Sequence, residues 1–210
     1  MAIPMVACLD PIRLGEDLEL ARRCVAGDRA AQRELFHRER RSVHATLYRL
    51  LGPNDHMEDL AQMAFLEIFR SLGNYRGEAT LATWVDRCTA RVAFAHLGRK
   101  RPKVVPIDAA FDVHAGGPSV EQRALDREIT RRVYAALDRI DPLPRMAFAL
   151  YAIDGRSMEE VATIMDATVA ATKSRVWRAR QEFEQRARRD PLLADFLEIE
   201  RVDPDTRGVP

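Results

Sequence analysis

The sequence predicts an all-α chain of two small helical domains joined by a flexible linker. Three observations carry that expectation. Apolar residues recur at helical spacing over residues 16–103 and again over residues 121–187. Between them, residues 104–120 contain Pro106, Gly116, Gly117 and Pro118 and show no helical period. Finally, Ser157 with Glu160, and then Thr168, mark two successive helix starts around a short turn. A structureless stretch as long as the middle one is improbable inside one compact domain, so two domains are the better account.

Residues Met1 to Gly15 mix Pro4, Pro11 and scattered apolar side chains without periodicity and read as a poorly ordered lead. Two helical segments follow from Glu16 to Leu51, separated near Gly27 and Asp28. The first shows an apolar face of Leu18, Ala21, Arg22 and Val25, the second one of Leu35, Val43, Leu47 and Leu50 behind an Asp28 cap. Gly52-Pro53-Asn54-Asp55 breaks the run. The next helix carries Ala61, Phe65, Ile68, Phe69 and Leu72 on one stripe, with Asp59, Gln62, Glu67 and Arg70 elsewhere on the cylinder.

That helix stops at Gly73, and Asn74 to Glu78 form a polar loop containing Gly77. A further helix has the stripe Leu81, Val85, Cys88, Val92 and Ala95 and ends near Gly98. It exits into Arg99-Lys100-Arg101-Pro102-Lys103, a charge cluster suited to a phosphate backbone.

Beyond the linker, Leu125, Ile129, Val133 and Leu137 open the second domain. Asp141-Pro142-Leu143-Pro144 then separates it from a largely apolar helix, Arg145 to Ile153, closed by Asp154-Gly155. Ser157 and Glu160 form a capping box, Val161, Ile164 and Met165 face inward, and Asp166-Ala167 make the turn before Thr168 caps the last helix. On a helical wheel that helix places Val169, Thr172, Val176, Ala179 and Phe183 on one side. Ala170, Lys173, Ser174, Trp177, Arg178 and Gln181 lie opposite. A helix, tight turn and second helix is the architecture that enters a major groove. Lys173, Ser174 and Arg178 have the donors for base edges or phosphates, and Arg175 and Arg180 flank them as phosphate contacts. The competing reading for the arginines is a solvated face with pairs such as Arg178 with Glu182; an outward Trp177 needs a partner.

Composition limits the function classes. The 33 Lys and Arg nearly balance 32 Asp and Glu, a formal charge of +1, so a nucleic-acid role must rest on local clusters. Cys8, Cys24 and Cys88 are far apart, with no C-x-x-C or nearby His at ligand spacing, which argues against a zinc site and a disulfide framework and for a reduced, cytoplasmic protein. No run approaches the roughly 18–20 apolar residues that cross a bilayer, and no signal-peptide pattern opens the chain, so membrane insertion is not expected. His37, His44, His56, His96 and His114 are scattered, no Gly-rich phosphate loop occurs, and the carboxylate pairs fall on solvated faces. Neither an enzyme nor a cofactor or metal is expected.

The segments Glu58-Asp59-Leu60-Ala61-Gln62-Met63-Ala64-Phe65, Tyr75-Arg76-Gly77-Glu78-Ala79 and Thr83-Trp84-Val85 resemble region 2 of the extracytoplasmic-function (group 4) sigma factors of the sigma-70 family. Met158 to Ala162 and Thr172 to Arg180 are similar to region 4 of the same family, in the expected order. The resemblance implies region 2 over residues 16–103, a linker over 104–120 and region 4 over 121–187; it does not cover the extension at 188–210, whose apolar Leu192, Leu193, Phe196 and Leu197 suit either docking as a short helix or binding a regulator.

It further implies an alternative sigma factor that binds core RNA polymerase, directs initiation at −35 and −10 elements and assists melting. Contacts with the β′ clamp helices fall to Asp59, Gln62, Phe65, Glu67, Phe69 and Arg70, and the β flap is a second polymerase contact. For Phe65 and Phe69, core packing is the stronger of the two readings. The loop Asn74 to Thr80 corresponds to the family's −10 loop, where Asn74, Tyr75 and Arg76 supply donors, a π surface and charge for an unstacked base. Trp84 supports the melted strand or fills the core, and Arg87, Arg91, Arg99, Lys100 and Arg101 follow the DNA backbone. The −35 element is assigned to Lys173, Ser174, Arg175, Trp177, Arg178 and Arg180.

An anti-sigma factor is the implied further partner. Met63, Arg91, Ala95 and Gly98 depart from the family's usual types near the −10 face, and Asp166 and Ala170 replace glycines around the region 4 turn, so promoter letters do not carry over. Two alternatives have different consequences: a polymerase-independent dimeric helix-turn-helix regulator would bind two-fold half-sites alone, and an initiation-defective sigma-like protein would bind its partners without starting transcripts.

Overall fold

The computed structural model describes residues 11–99 and 120–194. Those residues are helical throughout their regular parts, with no strand among them. The chain divides into two units, one taking in residues up to Tyr48 and His56–His96, the other Arg49–Asp55 and the chain from Leu97 on. Residues 104–119 of the expected 104–120 linker, and residues 195–210 of the extension, lie outside the described residues; Val120, expected at the end of the linker, is already helical.

The first unit begins with α1 (Pro11–Val25), so residues 11–15, expected in the lead, form its first turn. Its buried side is Asp17, Leu20, Ala21 and Cys24; Arg22 and Val25 face solvent, and Leu18 is half-buried. The expected apolar stripe is thus displaced, because Asp17 has inward partners that a hydropathy pattern does not reveal. Asp28 accepts from the Ala30 and Ala31 amides at 2.8 and 3.2 Å and starts α2 (Arg29–Leu51). α2 buries Ala31, Leu35, Val43, Leu47 and Leu50 on one side.

α3 (Met57–Ser71) packs through Leu60, Ala61, Ala64, Phe65 and Ile68, and a 3-10 turn (Leu72–Asn74) leads into the loop before α4 (Leu81–Arg99). α4 buries Leu81, Val85, Cys88, Ala90, Ala93 and Leu97. Two expected stripe members are corrected here: Ala95 is exposed and Val92 only half-buried. Thr89 takes an inward place instead, and it can do so because its hydroxyl donates to the Val85 carbonyl at 2.9 Å. Cys24 and Cys88 are buried free thiols, and burial pushes both up from the usual thiol range.

The second unit contains α5 (Val120–Leu137), α6 (Pro142–Phe148), a π turn (Ala149–Ile153), α7 (Met158–Ile164) and α8 (Val169–Ala187). Its core gathers Tyr134, Leu137, Ile140 and Ala179, with Val133, Phe148, Ile153 and Phe183 packed against them. Leu125, expected on the α5 stripe, is exposed. Pro142 opens α6 rather than separating it from α5, since proline suits the first helical turn, where its missing N–H costs nothing. Arg145 is 2% exposed and ion-pairs with Asp138. Burial holds its guanidinium below the ordinary range and Asp138 above the usual carboxylate range, both against the pull of the pair. After the π turn, Gly155 has φ +69°, where a side chain would be strained, so the chain turns there as expected. The described part of the extension docks. Asp190 accepts from the Leu192 and Leu193 amides at 3.1 and 3.4 Å, and Leu193 is buried.

Candidate nucleic-acid interface

In the second unit, α7 begins because Ser157 and Glu160 satisfy each other's backbone. The Glu160 amide donates to Ser157 Oγ at 3.2 Å, and the Ser157 amide to Glu160 Oε2 at 3.0 Å. Val161, Ala162 and Ile164 then point inward. At the turn Asp166 takes φ +48°, a left-handed conformation that Asp tolerates better than most residues, and the Ala167 amide donates to the Ala162 carbonyl at 2.9 Å. Thr168 starts α8 by accepting from the Ala171 amide at 3.2 Å.

α8 buries Thr172, Val176, Ala179 and Ala187, and Phe183 meets Phe148 with ring centroids 5.6 Å apart. Of the residues expected on the buried side, Val169 and Phe183 are only half-buried. Lys173, Ser174, Trp177 and Arg178 come together on the opposite face and line one surface concavity. Trp177 is 66% exposed there. Among the described residues neither Lys173 nor Arg178 has an ion-pair partner, and Glu182, considered as a partner for Arg178, pairs with Arg186 at 3.2 Å. Arg175 is half-buried with its Nη1 buried and unbonded, whereas Arg180 Nε donates to Glu184 Oε1 at 3.0 Å. The Arg180 side chain is exposed, and an ion pair at the surface contributes little to stability.

In the first unit, the 3-10 turn exposes its last residue, Asn74, which the sequence places in the loop, and the loop from there to α4 exposes Arg76 and Glu78. Tyr75 differs from the sequence expectation of an open stacking surface. It is 8% exposed, its hydroxyl donates to the Ala79 carbonyl at 2.7 Å, and its ring meets Trp84 edge-on at 5.9 Å. Burial pushes its phenol up from the ordinary range. The ring therefore shapes the loop from inside, and Trp84, half-buried, is the aromatic next to it. Along α4, Arg91 is exposed and Arg87 is half-buried with its Nε unbonded. The Arg99 side chain, Lys100 and Arg101 lie outside the described residues.

α3 presents Asp59, Gln62 and Arg70 to solvent, with Glu67 and Phe69 half-buried. Phe65 is buried, 4.6 Å from the Phe36 ring and 6.3 Å from that of Phe69, in keeping with the core reading. Leu66, which is not among the residues expected at this face, is 65% exposed beside an exposed Met63. In the sequence it is marked as a large apolar residue off the buried stripe.

Residues 35–102 match the family described as Sigma-70 region 2, and residues 130–183 match Sigma-70, region 4. The chain is 31% identical over 189 residues to the RNA polymerase sigma-H factor of Pseudomonas aeruginosa, covering 86% of this chain and 97% of that protein. It is likewise 31% identical over 187 residues to the ECF RNA polymerase sigma-E factor of Escherichia coli K12, covering 84% and 96%. In fold it is similar to CnrH, solved in complex with the cytosolic domain of CnrY, at a TM-score of 0.56 and 20% identity over 83% of this chain and 98% of that one. It is also similar to the sigma factor RpoE of Bartonella quintana, solved with the anti-sigma factor NepR, at 0.52 and 20% over 75% and 97%.

Proposed function

The chain belongs to the extracytoplasmic-function group of the sigma-70 family, and from that premise we propose how its surfaces divide the work. It is an alternative sigma factor that binds RNA polymerase and directs transcription initiation. Region 4 reads the −35 element through α8. The observation that carries this assignment is the convergence of Lys173, Ser174, Trp177 and Arg178 on one exposed concavity of a capped second helix. Ser174 and the two free cations offer donors to base edges, Trp177 offers apolar contact, and Arg175 and Arg180 hold phosphates.

Region 2 takes the −10 element. Asn74 and Arg76 supply donors and charge at the loop rim, while Tyr75 and Trp84 form the aromatic wall behind it. Arg87 and Arg91, followed by Arg99, Lys100 and Arg101, track the strand. Trapping unstacked bases shifts the duplex toward the melted state without any bond being made or broken in the protein, so no catalytic group is required. Polymerase is met by the exposed side of α3, where Asp59, Gln62, Glu67, Phe69 and Arg70 surround Leu66; Phe65 supports that side from within. The β flap is the second polymerase contact, the cytoplasm the place of action, and an anti-sigma factor, as seen with the structurally similar RpoE, the regulator. Among the described residues no helix is long and apolar enough to cross a membrane.

The deciding experiment is transcription of genomic DNA by sigma-free core polymerase with and without this protein, with the 5′ ends of the RNA mapped. Discrete new starts that share upstream sequence are expected, and they reveal both promoter elements. Core binding without new starts would overturn the initiation role, and no core binding at all would leave a helix-turn-helix regulator.

A further inference from the structure

α1 makes an internal connection that its own sequence does not announce. Asp17 is 1% exposed, and its two carboxylate oxygens have different partners. Oδ2 accepts from the Leu81 amide at 2.7 Å, and Leu81 is the first residue of α4. Oδ1 accepts from Arg38 Nη2 at 2.8 Å, while Arg38 Nε donates to buried Glu39 at 2.8 Å. A carboxylate at a helix N-terminus meets both an unsatisfied N–H and the positive end of the helix dipole, and Arg38 compensates its burial.

The next residue, Leu18, lies under the loop itself. Gly77 has φ +74°, and a Cβ placed there would come 3.1 to 3.4 Å from the Leu18 side-chain carbons. α1 also packs against the 3-10 turn at the start of the loop. Thr80 adds a local cap, accepting from the Thr83 amide at 3.2 Å, and Tyr75 ties the loop to Ala79. Two adjacent residues of α1 therefore fix the loop at its middle and at its exit, and only the rim residues Asn74, Arg76 and Glu78 are left exposed.

We infer that α1 is the brace of the −10 loop: Asp17 and Leu18 are positioning residues that hold residues 74–80 in the shape that accepts an unstacked base. The inference rests on the reading that this loop captures such a base. The exposed residues bind; the buried ones keep them in register, since a loop that must order on binding loses affinity to that ordering.

The test uses full-length protein in complex with core polymerase and, as probe, a single-stranded non-template oligonucleotide carrying the −10 element found by start-site mapping. Asp17→Ala is expected to weaken oligonucleotide binding about tenfold, the scale of a lost helix cap, with core binding unchanged. Asp17→Asn, which keeps one acceptor for the Leu81 amide but loses the one that receives Arg38, is expected to restore part of it, a rescue that loss of a buried charge alone would not give. Arg76→Ala is the control on the premise. If Arg76→Ala weakens binding and Asp17→Ala does not, the brace is wrong; if Arg76→Ala has no effect either, the −10 reading of the loop has failed. Should Asp17→Ala unfold the first unit, Leu18→Ala carries the test. Weaker oligonucleotide binding with normal core binding then supports the brace, and unchanged binding overturns it.

Discussion

A side chain's partners decide whether it is available to a ligand. Lys173, Trp177 and Arg178 share an exposed face, and neither cation is committed to a carboxylate. Truncating them should therefore cost binding and leave the fold alone. The double substitution Lys173→Ala with Trp177→Ala is expected to weaken binding of holoenzyme to the −35 duplex at least tenfold, consistent with about 1–3 kcal/mol for a good base contact. Core polymerase affinity and the thermal midpoint should not move; a parallel loss of core binding would mean that the face is misassigned. Tyr75 shows the converse case. Its hydroxyl is committed to Ala79 and its ring to Trp84, so its contribution to the loop is made through shape.

At the scale of elements, α7 depends on its first turn because it is only seven residues long. Such a helix gains little from propagation, so its cap and tertiary packing decide whether it forms. Ser157→Ala removes the acceptor for the Glu160 amide and is expected to lower the unfolding free energy of region 4 by about 1 kcal/mol in denaturant titration. An unchanged midpoint would show that packing against α8 suffices.

α5 is tied differently. Glu128 accepts from Arg131 and Arg132, and Arg132 also reaches Asp190 beyond the end of α8 at 2.8 Å. Those arginines, Arg131 first, hold the Glu128 carboxyl down from 4.5 to about 2. A carboxyl lowered in the folded state stabilises it above its ordinary pKa, and that contribution fades as pH falls from about 4.5 through about 2. The melting temperature of region 4 should therefore decline over that interval, less steeply in Glu128→Gln; identical profiles would remove Glu128 as a cause.

For the molecule as a whole, charge placement matters more than total charge. The chain carries a net +1, yet α8 concentrates Lys173, Arg175, Arg178 and Arg180 within two turns or so of helix. Each phosphate neutralised releases condensed counterions, and the two phosphate contacts assigned to Arg175 and Arg180 imply a slope of about −2 in log affinity against log salt for the −35 duplex. Titration of holoenzyme binding between low and moderate salt, compared with a quadruple alanine variant, measures this region's share. A slope unchanged by the variant would place the phosphate contacts elsewhere. The two-unit division has a related consequence: with one promoter element proposed for each unit, damage to one surface should leave the other's local contacts intact.

The sequence by itself determined the two helical units, the breaks at Gly27, Gly52 and Gly155, the capping box at Ser157, the Thr168 cap and the outward face of α8. These follow from interactions within a few residues, which periodicity and turn chemistry record directly. Only the tertiary structure decided that Asp17 lies inward beneath α4, that Tyr75 turns into the loop, that Arg145 is buried against Asp138 and that Leu193 docks. An acidic or amphipathic side chain is placed by the partners that offset its desolvation. For Asp17 and the Leu81 amide those partners are 64 positions apart, beyond the reach of any local pattern.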